Sequence, residues 1–259
     1  MIIVSRDKNS YPKPGSTGEK SVCAVIPVYN NAHSIRGVAQ NTLRQIPNLL
    51  ILDDGSTDAD LKCLLEDLPL YYFRQYPNRG KGAALRQALQ ILADSGFDYM
   101  LTLDADGQQA PSDIPSFLKL AESGKNIFAV GCRDFSGQPV PYGSRIGRKL
   151  SNWLLKWECG IHSADSQSGF RMYPVRLLTD RSFRGEHFDF ETEVMAAAAG
   201  KGADFHDLPV KVYYPPGNKR VTHFRPLPEL SRLSLLHLRL LTKRLFRKRN
   251  QDRSRSSIQ

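Results

Sequence analysis

The chain has 259 residues, 41% of them hydrophobic, and 36 Lys and Arg against 26 Asp and Glu, for a formal charge of +10. This is an ordinary globular composition, long enough for one large core with appendages, and it excludes a disordered or fibrous chain. Four well-separated cysteines (Cys23, Cys63, Cys132, Cys159) exclude a close-paired zinc site and a disulfide-dense secreted scaffold, and they read as reduced and cytosolic.

The apolar run at Met1–Val4 is too short for a signal segment, and no apolar stretch approaches the ~20 residues of a membrane span. Residues 5–20, rich in Ser, Lys, Pro and Gly, lack apolar periodicity, so 1–20 reads as a flexible leader. Val22–Ile26, bounded by Pro27, is a continuous apolar run suited to a strand buried on both faces of a parallel sheet. A helix is predicted from Ser34 to Arg44, and Leu49–Leu52 is a second buried strand ending in Asp53-Asp54-Gly-Ser-Thr-Asp58. Strand, helix, strand suggests a βαβ unit.

A helix over Asp60–Asp67 and a strand at Tyr71–Phe73 follow. Asn78-Arg79-Gly80-Lys81-Gly82 opens a helix over Ala83–Ala93. Backbone N–H groups there, with Arg79 and Lys81, suit an anion, although a helix-capping turn has the same composition. The spacing is neither that of a P-loop nor of a dinucleotide fingerprint.

Tyr99–Leu103 is a buried strand that stops at Asp104-Ala-Asp106-Gly-Gln108. In extended chain the two carboxylates would point to the same side, making a cation site whose hard oxygens suit Mg²⁺ or Mn²⁺ completed by phosphate. A polar turn ending the strand is the plainer alternative. Helices from Pro111 to Ala121 and Ile146 to Cys159 flank a strand at Ile127–Val130 and a loop at Asp134–Ser144. Asp165–Arg171 is polar and compact, Val194–Ala199 is a small-residue helix, and Leu208–Tyr213 is a strand whose Pro marks a start or an edge. The loop Tyr214–Arg225 follows; a leucine-rich basic helix over 227–249 and a disordered tail over 250–259 end the chain.

The order Ile26-Pro-Val-Tyr-Asn30, Leu52-Asp-Asp-Gly-Ser-Thr-Asp58, Asn78-Arg-Gly-Lys-Gly-Ala-Ala84 and Leu103-Asp-Ala-Asp-Gly107 resembles the family 2 glycosyltransferases over residues 21–226. Gln167-Ser-Gly-Phe-Arg171 resembles the polyprenyl-phosphate mannose and glucose synthase branch, without its transmembrane segments. The resemblance implies an α/β GT-A fold, a Rossmann-like open sheet of mainly parallel strands flanked by helices. It also implies a UDP- or GDP-hexose donor, a divalent Mg²⁺ or Mn²⁺, inversion at the anomeric carbon, and a lipid-linked acceptor; a saccharide or other soluble hydroxyl is the alternative acceptor, and a nucleotide-binding, membrane-docked module without catalysis is the alternative to an enzyme.

The resemblance further implies residue roles. Asp53 or Asp54 would contact base or ribose, with Pro27 and Tyr29 lining that pocket. Asp104 would face ribose or metal, Asp106 would hold the metal, Gln108 would add an oxygen, and His223 would be a late ligand. Arg79 and Lys81 would share the diphosphate's charge. Gln167, Ser168 and Arg171 would bind phosphate, unless Arg171 is a buried structural arginine. Asp189, Glu191 and Glu193 are the candidate bases, Glu191 preferred, against the alternative that they stabilise a helix start.

The last helix alternates Leu230, Leu233, Leu236 and Leu240 with Arg232, Arg239, Lys243 and Arg244. It fits either an anionic membrane surface or packing on the domain, with the membrane preferred. Its cations accompany a leucine stripe rather than exposed aromatics, so nucleic acid is not expected as a partner. The resulting expectation is a cytoplasmic enzyme, peripheral on the cytoplasmic face of the membrane.

Overall fold

The computed structural model describes residues 2–4, 19–134, 142–179, 183–187, 189–213, 234–238 and 240–242. Among the described residues eight strands form one sheet in the order β1-β4-β3-β2-β5-β7-β6-β8. At its centre lie β2 (Val22–Val28), β3 (Leu49–Asp53) and β5 (Tyr99–Thr102), which pair in parallel. Alternation along β2 sends Ala24, Ile26 and Val28 to one core cluster and Cys23 and Val25 to the other, so the apolar run is continuous because both faces are covered.

The first face is covered by α1 (Ala32–Leu43), through Ile35 and Ala39, and by α4 (Ile114–Glu122), through Ile114 and Phe117. The second is covered by α3 (Lys81–Asp94), α5 (Tyr142–Cys159) and α6 (Asp189–Gly200), through Leu85, Leu89, Leu155, Phe190 and Met195. Each such side chain contributes about 1.5–3 kcal/mol by leaving water, which makes this two-sided core the frame that fixes the loops at its edge.

The remaining strands correct the sequence expectations in instructive ways. Ile2–Val4 is not part of a flexible leader: as β1 it adds antiparallel to β4 (Tyr71–Arg74), its β-branched residues extending the sheet by one strand. β7 (Arg171–Pro174), within what reads as an irregular stretch, inserts antiparallel between β5 and β6 (Ile127–Arg133), so the sheet is mixed. β8 (Asp204–Val210) lies earlier than predicted and pairs in parallel with β6 at the sheet's edge, where Pro209 is tolerated.

Strand β2 runs through Pro27 rather than stopping before it. Val25 O accepts from Leu103 on the β5 side and Val28 O from Asp54 on the β3 side, so Pro27 faces β5 just past the last paired rung. Its missing N–H therefore costs no ladder bond. The helix predicted over Asp60–Asp67 shrinks to α2 (Leu61–Leu64), capped by Asp60 through the backbone N–H groups of Lys62 and Cys63.

Candidate active site

Parallel β2, β3 and β5 end at one edge of the sheet, and antiparallel β7 begins there. Arg171 pairs with Thr102, and Thr102 Oγ1 donates to Gly169 O at 2.8 Å. This change of direction brings segment 165–171 to the loops that follow β3 and β5, the edge where open α/β sheets bind ligands.

At the centre of that edge, Lys81 Nζ lies 2.7 Å from Asp104 Oδ1 and 3.0 Å from Glu191 Oε1. The approach depends on glycines. Cβ atoms at Gly80 and Gly82 would fall within 2.4 Å and 2.6 Å of the Glu186 and His187 carbonyls, so only bare backbone lets the start of α3 nest against 185–190. Gly80 also needs its φ of 94° as the residue before α3. Lys81 is thereby carried to Glu191 in the first turn of α6.

Burial opposes the Lys81 ammonium, but Asp104 and Glu191 outweigh it and hold its pKa above the ordinary range. Burial opposes the Asp104 carboxylate too, and the Lys81 charge holds it below its usual range. Apart from the lysine, Glu191 Oε1 is buried with no hydrogen-bond partner among the described residues.

Asp104 is held a second way. Gln109 Nε2 donates to its Oδ2 at 2.6 Å while the Asp104 N–H donates to Gln109 Oε1 at 2.9 Å. Gln109, which sequence reasoning passed over for Gln108, thus fixes the carboxylate from both ends. Gln108 instead donates its N–H to Asp106 Oδ1 at 2.9 Å, and its carbonyl accepts from the Tyr213 N–H at 2.7 Å. The two carboxylates stand on a turn rather than on the strand: β5 ends at Thr102, and Gly107 turns the chain with a φ of 75°. Strand alternation therefore does not align them. Gly169 closes the far side, where a Cβ would lie 2.4 Å from Asp104 Oδ2.

The aspartates after β3 face inward. Asp53 is fully buried, accepting from Ser56 N–H at 2.8 Å and Tyr72 OH at 2.6 Å. Asp54 is buried as well and gathers the N–H groups of Arg79 (2.8 Å) and Gly80 (2.7 Å) and the Asn78 and Gln75 amides. It shapes the loop that presents Lys81. Pro27 and Tyr29, both half-buried, stand at the end of β2 beside these loops, and the Arg79 side chain is 55% exposed, its nearest carboxylate Glu186 at 4.0 Å.

Arg171, expected at a phosphate, is fully buried. Its Nε, Nη1 and Nη2 donate to the carbonyls of Ser168 (2.6 Å), Glu191 (2.8 Å) and Ser166 (2.6 Å). It is the structural arginine of the two alternatives, and it ties segment 165–171 to α6. Ser168 is buried too, its Oγ accepting from Phe170 N–H, whereas Gln167 is exposed. Sequence reasoning did not reach the Arg133–Asp165 pair, whose two contacts of 2.6 Å and 2.9 Å anchor the same segment to the end of β6.

The three acids of α6 separate. Asp189 accepts from the His187 and Phe190 N–H groups at the helix start, and Glu193 from those of Arg184 and Gly185, which leaves Glu191 as the acid in the cluster. His223 lies outside the described residues, as do most of 227–249. Among the described residues no three His, Cys, Asp or Glu side chains form a metal cage. Asp104 and Asp106, on the turn after β5, supply hard oxygen donors of the kind that hold a divalent ion with phosphate oxygens completing the set, Asp104 being also bonded to Lys81 and Gln109.

Comparison with known proteins places this geometry in context. The sequence pattern described as Glycosyl transferase family 2 matches residues 23–183. The chain is 24% identical over 221 residues to the UDP-N-acetylglucosamine–dolichyl-phosphate N-acetylglucosaminyltransferase of Methanococcus voltae, covering 76% of this chain and 87% of that protein. It is 23% identical to the polyprenol monophosphomannose synthase of Mycolicibacterium smegmatis, covering 72% of this chain and 75% of the relative. Its fold is similar to that of glucosyl-3-phosphoglycerate synthase from Mycobacterium tuberculosis, solved with Mn²⁺, uridine diphosphate and phosphoglyceric acid. The TM-score is 0.62 at 21% identity, over 88% of this chain and 78% of that one.

Proposed function

The chain belongs to glycosyltransferase family 2, with the GT-A fold, and from that premise we propose that it transfers a hexose, with inversion, from a UDP- or GDP-sugar to a polyprenyl phosphate or another lipid-linked acceptor. One observation carries the acceptor class: the carboxylate best placed to act as a base, Glu191, is buried and ion-paired to Lys81. A hydroxyl nucleophile needs a base to take its proton, whereas a phosphate arrives as an anion and needs none. The names of the M. voltae and M. smegmatis relatives support the same class.

In this reading a phosphate oxygen of the acceptor forms a bond to the anomeric carbon as the bond from that carbon to the diphosphate breaks, and the electron pair leaves on the nucleoside diphosphate. The exposed Arg79 side chain meets that charge, with Asp54 holding the loop in shape. Pro27 and Tyr29 line the donor pocket. Asp104 and Asp106 would hold Mg²⁺ or Mn²⁺, whose charge offsets that of the leaving diphosphate; the Mn²⁺ in the M. tuberculosis neighbour supports a divalent ion. Lys81 fixes the spacing of Asp104 and Glu191 and holds the Asp104 carboxyl below its usual range. Arg171 positions Gln167 and the Glu191 backbone from behind.

No helix among the described residues is long and apolar enough to cross a membrane. We place the enzyme on the cytoplasmic face of the membrane, held in part by residues 227–249. Residues 234–238 and 240–242 are helical, Leu236 is buried and Leu235 and Leu238 are exposed, so this helix has both a packed side and an open one.

The test is transfer of labelled sugar from UDP- and GDP-hexoses, with Mn²⁺ or Mg²⁺, to a short-chain polyprenyl phosphate and to the matching alcohol in detergent. Labelling of the phosphate with the alcohol inert is expected. Labelling of the alcohol or a free saccharide with the phosphate inert overturns the reading.

A further inference from the structure

A cleft of about 450 Å³ opens between α5, the 161–164 loop and β8, and none of the Lys81 cluster lines it. Its size falls within the ~300–1,000 Å³ range of small-molecule sites. Ile161, buried, and Trp153, 59% exposed, make its apolar lining, and Trp157 lies parallel to Trp153 outside that lining with centroids 6.2 Å apart. Lys156, His162, Ser163 and Asp207 supply the polar groups. The Asp207 carboxylate is held in place: its Oδ1 accepts from the Ser163 hydroxyl at 3.0 Å and its Oδ2 from the Ala164 N–H at 2.6 Å. Asn152 steadies the same loop, donating to Ala164 O at 2.8 Å and accepting from Ser166 N–H at 3.0 Å. An ionised carboxylate has about four lone-pair sites, and Asp207 is exposed, so each oxygen can take a further donor.

We propose that this cleft is a saccharide-binding site separate from the donor pocket, a pyranose ring lying on the Trp153 indole while its hydroxyls donate to Asp207 and accept from Lys156. The mixture of groups selects the ligand. One face of a pyranose carries only C–H groups and suits the electron-rich face of an indole. The hydroxyls around its edge need acceptors and donors side by side, which the Asp207 carboxylate, the Lys156 ammonium and the His162 ring provide. Asp207 repels a phosphate, which disfavours a nucleotide. A wholly apolar guest would strip water from the charged rim without replacing its hydrogen bonds. A metal ion lacks ligands, since no group of three His, Cys, Asp or Glu forms among the described residues. Through Asn152 and Ser166 the cleft adjoins segment 165–171, so a sugar held there lies beside that segment and outside the Lys81 cluster. Its binding does not depend on the acceptor proposed above.

Trp153 and Trp157 are the chain's two tryptophans, so the indole emission of the full chain reports on this cleft and its border. Titration with the methyl glycosides of glucose, mannose and N-acetylglucosamine is expected to shift that emission with at least one of them. Saturating UDP with Mn²⁺ should leave the titration unchanged, because the donor pocket lies elsewhere. Asp207→Asn and Lys156→Met should each weaken binding about tenfold, the size of one lost hydrogen bond to a charged group. Trp153→Ala should abolish binding, read by saturation-transfer NMR of the glycoside, and circular dichroism checks that each variant is folded. No emission change in the parent with any of the three glycosides overturns the proposal. So does displacement of the glycoside by UDP with Mn²⁺, which would place it in the donor pocket, or parent-level binding by folded Trp153→Ala or Lys156→Met.

Discussion

Lys81 at the start of α3 lies 3.0 Å from Glu191 in the first turn of α6, a contact made through the glycine-bared backbone of Gly80 and Gly82. The same ammonium meets Asp104 at 2.7 Å, so one lysine neutralises two carboxylates that would otherwise repel. Only 19% of the Lys81 side chain and 7% of that of Glu191 remain exposed, so the pair is mostly desolvated. Lys81→Met is expected to destabilise the fold by about 3 kcal/mol, the cost of orphaning a buried charge, and to cut transfer severely. Urea denaturation and turnover check both, and a variant as stable and active as the parent would show that the pair organises nothing.

Gln109 and Gln108 offer a discriminating comparison. Gln109 holds Asp104 from both sides, whereas Gln108 touches the cluster only through its backbone N–H to Asp106. Gln109→Ala should raise the Mn²⁺ concentration needed for half-maximal transfer by about tenfold, roughly the effect of losing a group that orients a ligand. Gln108→Ala should leave it within a factor of about two. The reverse order in a metal titration returns the role to Gln108.

The buried strands were legible because a strand covered on both faces has an unbroken apolar run, and β2, β3 and β5 each have one. The Asn78–Gly82 loop was legible as a glycine-punctuated basic stretch that opens a helix. β7 was not: Arg171–Pro174 opens on a charged residue, and its place between β5 and β6 depends on pairings distant in sequence. What each buried aspartate after β3 holds was equally hidden. Asp53 and Asp54 are adjacent and identical in type, and only the positions of Tyr72, Gly80 and Arg79 show what each one holds. The same holds for Gln108 and Gln109.

Away from the site, Asp98 joins the starts of β2 and β5, accepting at Oδ2 from the Ser21 N–H at 3.0 Å and its hydroxyl at 2.9 Å. Burial pushes this carboxyl up, but the Ser21 hydrogen bonds and Lys20 prevail and hold it below the ordinary range. A depressed carboxylate stabilises the fold above its unfolded pKa of about 3.9 and loses that contribution as pH falls through the lower folded value. Asp98→Asn should therefore cost stability at pH 7 and flatten the decline below about pH 4. Urea midpoints measured from pH 7 to pH 2.5 check the sign; a parent and variant with parallel curves would rule out Asp98 as a source.

Arg171 distinguishes a scaffold arginine from one that binds phosphate. Each of its three nitrogens donates to a different backbone carbonyl, those of Ser168, Glu191 and Ser166, and the side chain is sealed from solvent. Lysine keeps the charge but cannot reach three divergent acceptors from one nitrogen. Arg171→Lys should therefore destabilise the chain by about 3 kcal/mol, the loss of two charge-assisted bonds at about 1.5 kcal/mol each. At a temperature where the variant is still folded, transfer should fall chiefly in kcat, because segment 165–171 and the Glu191 backbone lose their tie. Direct phosphate binding predicts the opposite pattern, near-parent stability with a raised acceptor KM, so denaturation combined with acceptor kinetics separates the two.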